Sequence, residues 1–492
     1  MSVKILIKNN KKIKLNNKTK GVETLLGEPK KAILRLAIPM IIAMSAHTIY
    51  NLVDALWVSG IGADIFTSNF VADIGKDALA AVGFVMPFFM MIISISTGIG
   101  LGGGSAISRR IGAKDKKGAD NVAMHTIVIT ILFSVVFSII LFIFADSMFS
   151  LMGSVESLDM AISYGRVIFA GGIVLFFIQV SYAILRSEGD AKRAMYAMLF
   201  GAILNIVLDP FFIYTFELGV TGAAYATVLS MFITSLILIY WLFLRKDTYV
   251  SFSFKRFRFK KDILKDIFSV GLPASVQQLS MSITMIIIIL IIGIAGGGDN
   301  GVAVYNTGWR VVSIAILPLL GLATAVVSVC GAAYGAKEFE KLKTAFMYSV
   351  RFGLTIEIII GIIIFLLAPF IADVFTTAPG AFVIRDDLMM FFMITCLFYP
   401  GAAFGIASSS MFQGTGKGIY ALIATLLRTI FLALGLSIIA TLVLNTGIVG
   451  IWWSLVLANL IGSAFSFTWA RYYIKNMLKN ELKKKESGLM KT

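Results

Sequence analysis

Tyr50-Asn51-Leu52-Val53-Asp54 lies inside an apolar run from about Ile33 to Gly60, long enough to cross a bilayer. A carboxylate at membrane depth costs roughly 2.5 kcal/mol or more, so Asp54 reads as a functional residue by default. Its expected partner lies far along the chain, in Leu204-Asn205-Ile206-Val207-Leu208-Asp209-Pro210, another apolar run. Asn205 and Asp209 are i and i+4 and share a helix face, as do Tyr50 and Asp54.

The composition decides the solvent. Hydrophobic residues make up 58% of the 492 positions and charged ones 14%, with a mean hydropathy of +0.90. A soluble domain carries about 25% charged residues, so the chain is read as an all-α polytopic membrane protein. The net charge is +16. Because the basic residues sit in tails and alternate loops, they point to topology and anionic lipid headgroups rather than to nucleic acid. Cys330 and Cys396 both fall in apolar runs, so neither a disulfide framework nor a zinc site is expected. The basic head has no apolar stretch before a cleavage site, and the first span is expected to serve as an uncleaved insertion signal.

Windows of about 19 residues give about twelve spans. In the first half they cover about 33–60, 79–108, 121–145, 160–185, 194–216 and 220–244; in the second, about 264–294, 302–334, 345–371, 385–412, 418–444 and 447–474. Loop charge alternates. The head is rich in Lys, whereas Asp64 to Asp77 holds three Asp and one Lys. Arg109, Arg110, Lys114, Lys116 and Lys117 follow, and then a loop with Asp146, Glu156 and Asp159. The connection from Arg245 to Lys265 is strongly basic, and Lys475 to Lys485 closes the series. Basic loops mark the cytoplasmic side, so both termini are expected there and the protein in the plasma membrane.

An internal repeat fixes the architecture. Gly98 to Ser105 leads to Gly112-Ala113-Lys114, and Gly321 to Ser328 leads to Gly335-Ala336-Lys337, an offset of 223 residues. Gly219-Val220-Thr221-Gly222 is echoed by Gly447-Ile448-Val449-Gly450. Two six-helix halves of one orientation follow, the parallel repeat of transporters, with the substrate path between them. The expected division is a basic tail over about 1–32, one lobe over 33–244, a basic linker over 245–263, a second lobe over 264–474 and a basic tail over 475–492. The halves are not equivalent: the positions matching Asn205 and Asp209 fall near Leu432 and Leu436. Acids present in one copy only suggest a task beyond packing.

Counting inward from the ends of their spans puts Asp54, Asp209 and Thr227 near one depth. Two carboxyls in one dry cavity suit the holding of a single proton, because like charges at close range disfavour double ionisation. Asp, Asn and Thr oxygens equally suit a small hard cation. A local alternative for Asp209 is the capping of a helix kinked at Pro210. His47, seven residues before Asp54, is a candidate proton relay or a hydrogen-bonded packing residue. Gln179, Gln277 and Gln278 are candidates for lining the cavity or for joining helices. Glu357 and Arg428 fall near one depth in the second half, where an ion pair is expected, structural or coupling. His125, at a helix start after a basic loop, is assigned no role.

Other signals are discounted. Gly98-Ile99-Gly100-Leu101-Gly102-Gly103 fits a dinucleotide fingerprint, but no strand precedes it and it lies in a spanning helix, where glycines serve close helix contact. No Walker A lysine motif occurs, so ATP is not the expected energy source. With two His and no His/Cys/Asp cluster, a membrane metalloenzyme finds little support. The 22 Met and 39 Phe would suit a cavity for varied apolar ligands.

Taken in order, these segments are similar to one family. Leu36-Ala37-Ile38-Pro39 and Asn51-Leu52-Val53-Asp54-Ala55-Leu56-Trp57-Val58 resemble the first helix of multidrug and toxic compound extrusion (MATE) transporters. Gly104-Ser105-Ala106 with Ile111-Gly112-Ala113 resembles their second helix and following loop. Leu185-Arg186-Ser187-Glu188-Gly189-Asp190, Asn205 with Asp209-Pro210, and Gly219 to Ala224 complete the first half. The resemblance implies a V-shaped, two-lobed, cation-coupled exporter of organic, often cationic, compounds. In the branch called DinF-like it implies coupling at the position of Asp54, with Tyr50, Asn205, Asp209 and Thr227 completing the site. The NorM branch has further acids in the seventh and tenth helices. Here those helices carry Gln277, Gln278 and no Asp or Glu from Leu388 to Gln413.

The preferred expectation is an H⁺- or Na⁺-coupled antiporter of small organic compounds, working as a single copy without a cofactor. A flippase for lipid-linked precursors or an exporter of polysaccharide is the alternative, weakened because Arg428 is the clearest basic residue at depth. A membrane-embedded enzyme is a third reading that no residue cluster supports.

Overall fold

The helices begin where short polar side chains cap them. Asp115 accepts from the Gly118 amide at 2.9 Å and opens a helix at Lys116; Asp190 accepts from the Arg193 amide at 3.2 Å and opens another at Ala191. Each satisfies an amide that the first turn leaves without a carbonyl. The structure, a computed structural model, describes residues 19–60, 74–152, 157–245, 247–252, 257–377 and 381–487. Most of the basic head, the acidic loop from Asp64 as far as Asp73, and the end of the basic tail lie outside the described residues.

The first half comprises α1 (Lys20–Leu26), α2 (Pro29–Val58), α3 (Lys76–Gly112), α4 (Lys116–Leu151), α5 (Leu158–Ala170), α6 (Gly172–Ser187), α7 (Ala191–Pro210) and α8 (Gly219–Ile239). The second comprises α9 (Lys261–Ile294), α10 (Gly298–Ala315), α11 (Leu317–Gly335), α12 (Phe339–Phe375), α13 (Arg385–Thr395), α14 (Phe398–Gly414), α15 (Gly418–Leu426), α16 (Gly435–Ile438) and α17 (Gly447–Glu486). Ten of the described helical stretches are long and apolar enough to cross a membrane, and twelve spans result when two bent pairs are each taken as one. The pairs are α5 with α6, bent by 48°, and α13 with α14, bent by 50°.

One expected span needs correcting. The run 302–334 is not a single crossing: it breaks between α10 and α11, and only Leu317–Gly335 has the length and hydropathy of a span. Asn306 and Arg310 dilute the apolar character of α10. Pro318, with no amide hydrogen, is suited to the first turn of α11 and not to the interior of a longer helix.

The repeat is written into the backbone. Lys114 and its counterpart Lys337 both have φ of 58°, Glu217 and Asn445 have 55° and 49°, and Gly189 and Gly416 have 86° and 81°. A π-helical turn follows α7 at Phe211–Thr215, and one follows α16 at Ile439–Val443. The bent pairs are the fourth span of each half. The chain thus forms two lobes of like topology.

The lobes meet through the halves of their helices that carry the basic loops. There α3 packs on α9 and α11, and α2 on α11. Gly98 and Gly102 lie so close to α9 that a Cβ on either would overlap the Gly271 or Ile267 carbonyl oxygen. The glycine run therefore serves close helix approach. Ser105 Oγ donates to the Gln413 carbonyl at 2.5 Å, and Arg109 pairs with Asp266 at 2.6 Å. Both contacts cross from one lobe to the other.

The linker is tied beneath the first lobe. Arg193 makes a bidentate pair with Asp247 at 2.9 and 2.6 Å. The buried Glu188 accepts from the Val250 amide at 3.0 Å, and burial pushes its carboxyl up to about 8. His125 Nε2 accepts from the Lys260 amide at 3.0 Å, so its Nδ1 carries the hydrogen donated to the Asn121 carbonyl at 2.8 Å. His125, given no role from sequence, anchors the linker to α4. The outer faces are apolar: Ile139, Ile140, Ile143 and Phe144 on α4 and Ile358, Ile359, Ile362 and Leu366 on α12 are exposed. Surfaces of this kind are stable against lipid and not against water.

Candidate functional site

The site is assembled where α2, α5, α7 and α8 converge inside the first lobe. Helical spacing stacks Tyr50 over Asp54 on α2 and Asn205 over Asp209 on α7. Asp209 is fully buried, Asn205 1%, Thr227 5% and Tyr50 8% exposed. Asp54 is half-buried as a residue, but its Oδ1 is buried.

Asn205 holds the group in register. Its Nδ2 donates to Asp209 Oδ1 at 3.0 Å and to Thr227 Oγ1 at 3.3 Å. Tyr50 lies beside Thr227, and the Asp54 and Asp209 carboxyls lie close enough to each other and to Tyr50 to interact electrostatically. Among the described residues, three buried oxygens are left without a donor: Asp54 Oδ1, Asn205 Oδ1 and Asp209 Oδ2. A buried acceptor without a donor costs about 1–3 kcal/mol. Three such acceptors, two of them on the acids themselves, leave the group short of donors, a shortage that a proton, a water or a small hard cation would relieve. The five residues singled out in sequence are thus neighbours, although their helices are far apart along the chain.

The remaining candidates sort differently. His47 is exposed, its ring 5.3 Å from that of Tyr50, and it makes no hydrogen bond among the described residues. Gln277 donates to Thr425 Oγ1 at 2.7 Å and accepts from Gln413 at 3.1 Å, which joins α9, α14 and α15 within the second lobe. Gln278 is exposed and Gln179 half-buried. The expected Glu357–Arg428 pair is absent. Arg428 donates to Asn459 Oδ1 at 3.2 Å, and Glu357, fully buried, has a hydrogen-bond partner for neither oxygen among the described residues. Equal depth did not bring them together because depth leaves the facing direction around each helix unspecified.

Two tyrosines escaped the sequence reading. Tyr164 of α5, 9% exposed, interacts electrostatically with Asp54, Asp209 and Tyr50. Tyr214, in the π-helical turn after α7, donates to the Trp57 carbonyl at 2.5 Å and ties the end of α2 to that turn. A hydroxyl in an apolar run was the available signal, and it is weak because Tyr is common in such runs.

The MatE family model matches residues 63–211 and 273–439. The chain belongs to the MatE family. It is 29% identical over 446 residues to the multidrug export protein MepA of Staphylococcus saprophyticus, covering 88% of this chain and 91% of that protein. A solved MatE relative described as the outward-facing conformation of a multidrug resistance MATE family transporter superposes with a TM-score of 0.88 at 46% identity, covering 94% of this chain and 99% of that one. A MOP superfamily transporter from Pyrococcus furiosus, described as having a binding pocket of reversed polarity that suggests a different function, matches with the same TM-score, identity and coverage. This MatE protein is therefore a multi-pass membrane protein of a transporter family, and its relatives include multidrug exporters.

Proposed function

We propose that this MatE protein is an H⁺- or Na⁺-coupled antiporter that exports small organic, cationic or amphipathic compounds, with Asp54 and Asp209 as the coupling residues. The observation that carries the reading is the close pair of carboxyls from two helices, each with a buried oxygen that has no donor among the described residues, beside the equally unpartnered Oδ1 of Asn205. Two acids at such range share a proton or a cation instead of both carrying free charge. Tyr50, Asn205 and Thr227 set their spacing, and Tyr164 closes the group from α5. Neutralising the pair lets α2 and α7 approach or bend; emptying it drives them apart, and that difference is what can bias two lobe arrangements.

The lack of Asp and Glu from Leu388 to Gln413, with Gln277 and Gln278 in the seventh span, supports a reading nearer the DinF-like branch than the NorM branch. Loop charge supports a cytoplasmic side for the lobe-contact end and both termini in the plasma membrane; on that reading the form described here is closed to the cytoplasm. Substrate would enter between the lobes, to one copy of the chain, with no cofactor.

The test is efflux of a cationic dye from vesicles under separately imposed Na⁺ and H⁺ gradients. Wild-type protein should respond to one gradient, and Asp54→Asn, expressed at normal level, to neither. Wild-type efflux in Asp54→Asn would remove the coupling role.

A further inference from the structure

A groove of about 630 Å³ lies outside the coupling site, between the start of α2 in one lobe and α12 in the other. Lys30 forms one side; Glu340, Lys343, Tyr348, Arg351 and Phe352, at successive turns of one α12 face, form the other. Three cations face one carboxylate. Lys343 is held by Glu340 at 3.3 Å, and Glu28, the acid nearest Lys30 in sequence, is taken by Lys31 at 2.9 Å. Among the described residues neither Lys30 nor Arg351 joins an ion pair.

Arg351 is the telling residue. It is exposed, yet it lies about six residues inside the expected ninth span, about 9 Å at helical rise. An unpaired arginine facing lipid at that depth is costly unless its head reaches an anion at the interface. The same helix face continues as Ile358, Ile359 and Ile362, all exposed, a track for hydrocarbon directly below the charges. Tyr348 and Phe352, their rings stacked 6.0 Å apart, bracket Arg351 along the helix, and aromatic side chains favour the interfacial level of a bilayer. A charged mouth, an aromatic collar and an aliphatic track along one face match an amphiphile with an anionic head.

We propose that this groove binds an anionic phospholipid, its phosphodiester between Lys30 and Arg351 and an acyl chain along Ile358 and Ile362. The headgroup would then touch both lobes at the end where they meet. The assay is native mass spectrometry of the full chain extracted from vesicles of mixed phosphatidylglycerol and phosphatidylcholine. Wild-type protein should retain phosphatidylglycerol selectively, and Lys30→Gln/Arg351→Gln should lose roughly tenfold or more of that selectivity, at about one unit of charge attraction per residue. Lys30→Arg/Arg351→Lys should keep it, which separates binding from folding. Lys475→Gln/Lys479→Gln, two exposed lysines on α17 that do not line the groove, should also keep it. Unchanged retention in the first variant, equal loss in the α17 variant, or displacement of the lipid by millimolar inorganic phosphate would each overturn the proposal.

Discussion

The two lobes share a topology and differ in what they bury. The first clusters two carboxyls, an amide, a hydroxyl and two phenols around one point. The second, at the positions matching Asn205 and Asp209, has Leu432 and Leu436. Its deep charges are scattered instead: Glu357 without a hydrogen-bond partner among the described residues and Arg428 on Asn459. Duplication supplied the same helices twice; the first copy brings two carboxyls together, whereas the second sets the single carboxyl of Glu357 near Tyr399. The comparison teaches that the repeat is a mechanical frame, with the chemistry placed in one arm.

The strongest way to break that comparison is to neutralise the cluster. Asp54→Asn and Asp209→Asn should each bring gradient-driven efflux below roughly a tenth of wild type while leaving expression intact. Asn205→Ala should follow, with a loss of several-fold, since it removes the donor shared by Asp209 and Thr227 at a cost of about 1–3 kcal/mol; vesicle efflux reads both. Next comes the frame itself. Gly102→Val places side-chain atoms against the Ile267 carbonyl and should force the lobe-contact ends apart, read as increased labelling of a cysteine introduced beside Ser105.

The second lobe is then the control. Glu357→Gln should change efflux by no more than about twofold, and Glu357→Met should raise the thermal midpoint by a few degrees, because a buried group without partners is replaced by a matched apolar one. Loss of efflux in Glu357→Gln would show that both lobes couple. The smallest effect concerns the linker contact. Glu188 titrates at about 8 when folded, above its ordinary value of 4.5, so the folded chain holds a proton that the unfolded chain releases. The stability this gives is complete below the unfolded value and falls as pH rises through about 8. The thermal midpoint of wild type in detergent should decline over that window, and that of Glu188→Gln should decline less.

Hydrophobic run length, loop charge and the Gly98/Gly321 repeat were enough to read two lobes of six spans. Bilayer thickness and the cost of unpaired backbone polar groups leave few other solutions for such a sequence. Asp54 and Asp209 were legible for the same reason: charge in a twenty-residue apolar run is an energetic exception. What the chain alone did not decide is direction. Glu357 and Arg428 share a depth and do not pair; Tyr164, an ordinary residue of its helix, joins the acids; and the eighth span breaks at Ile316. Length and composition act along a helix axis and are visible in one dimension. Which face turns toward which neighbour is set by side-chain packing among helices hundreds of residues apart, and only the folded lobes contain that information.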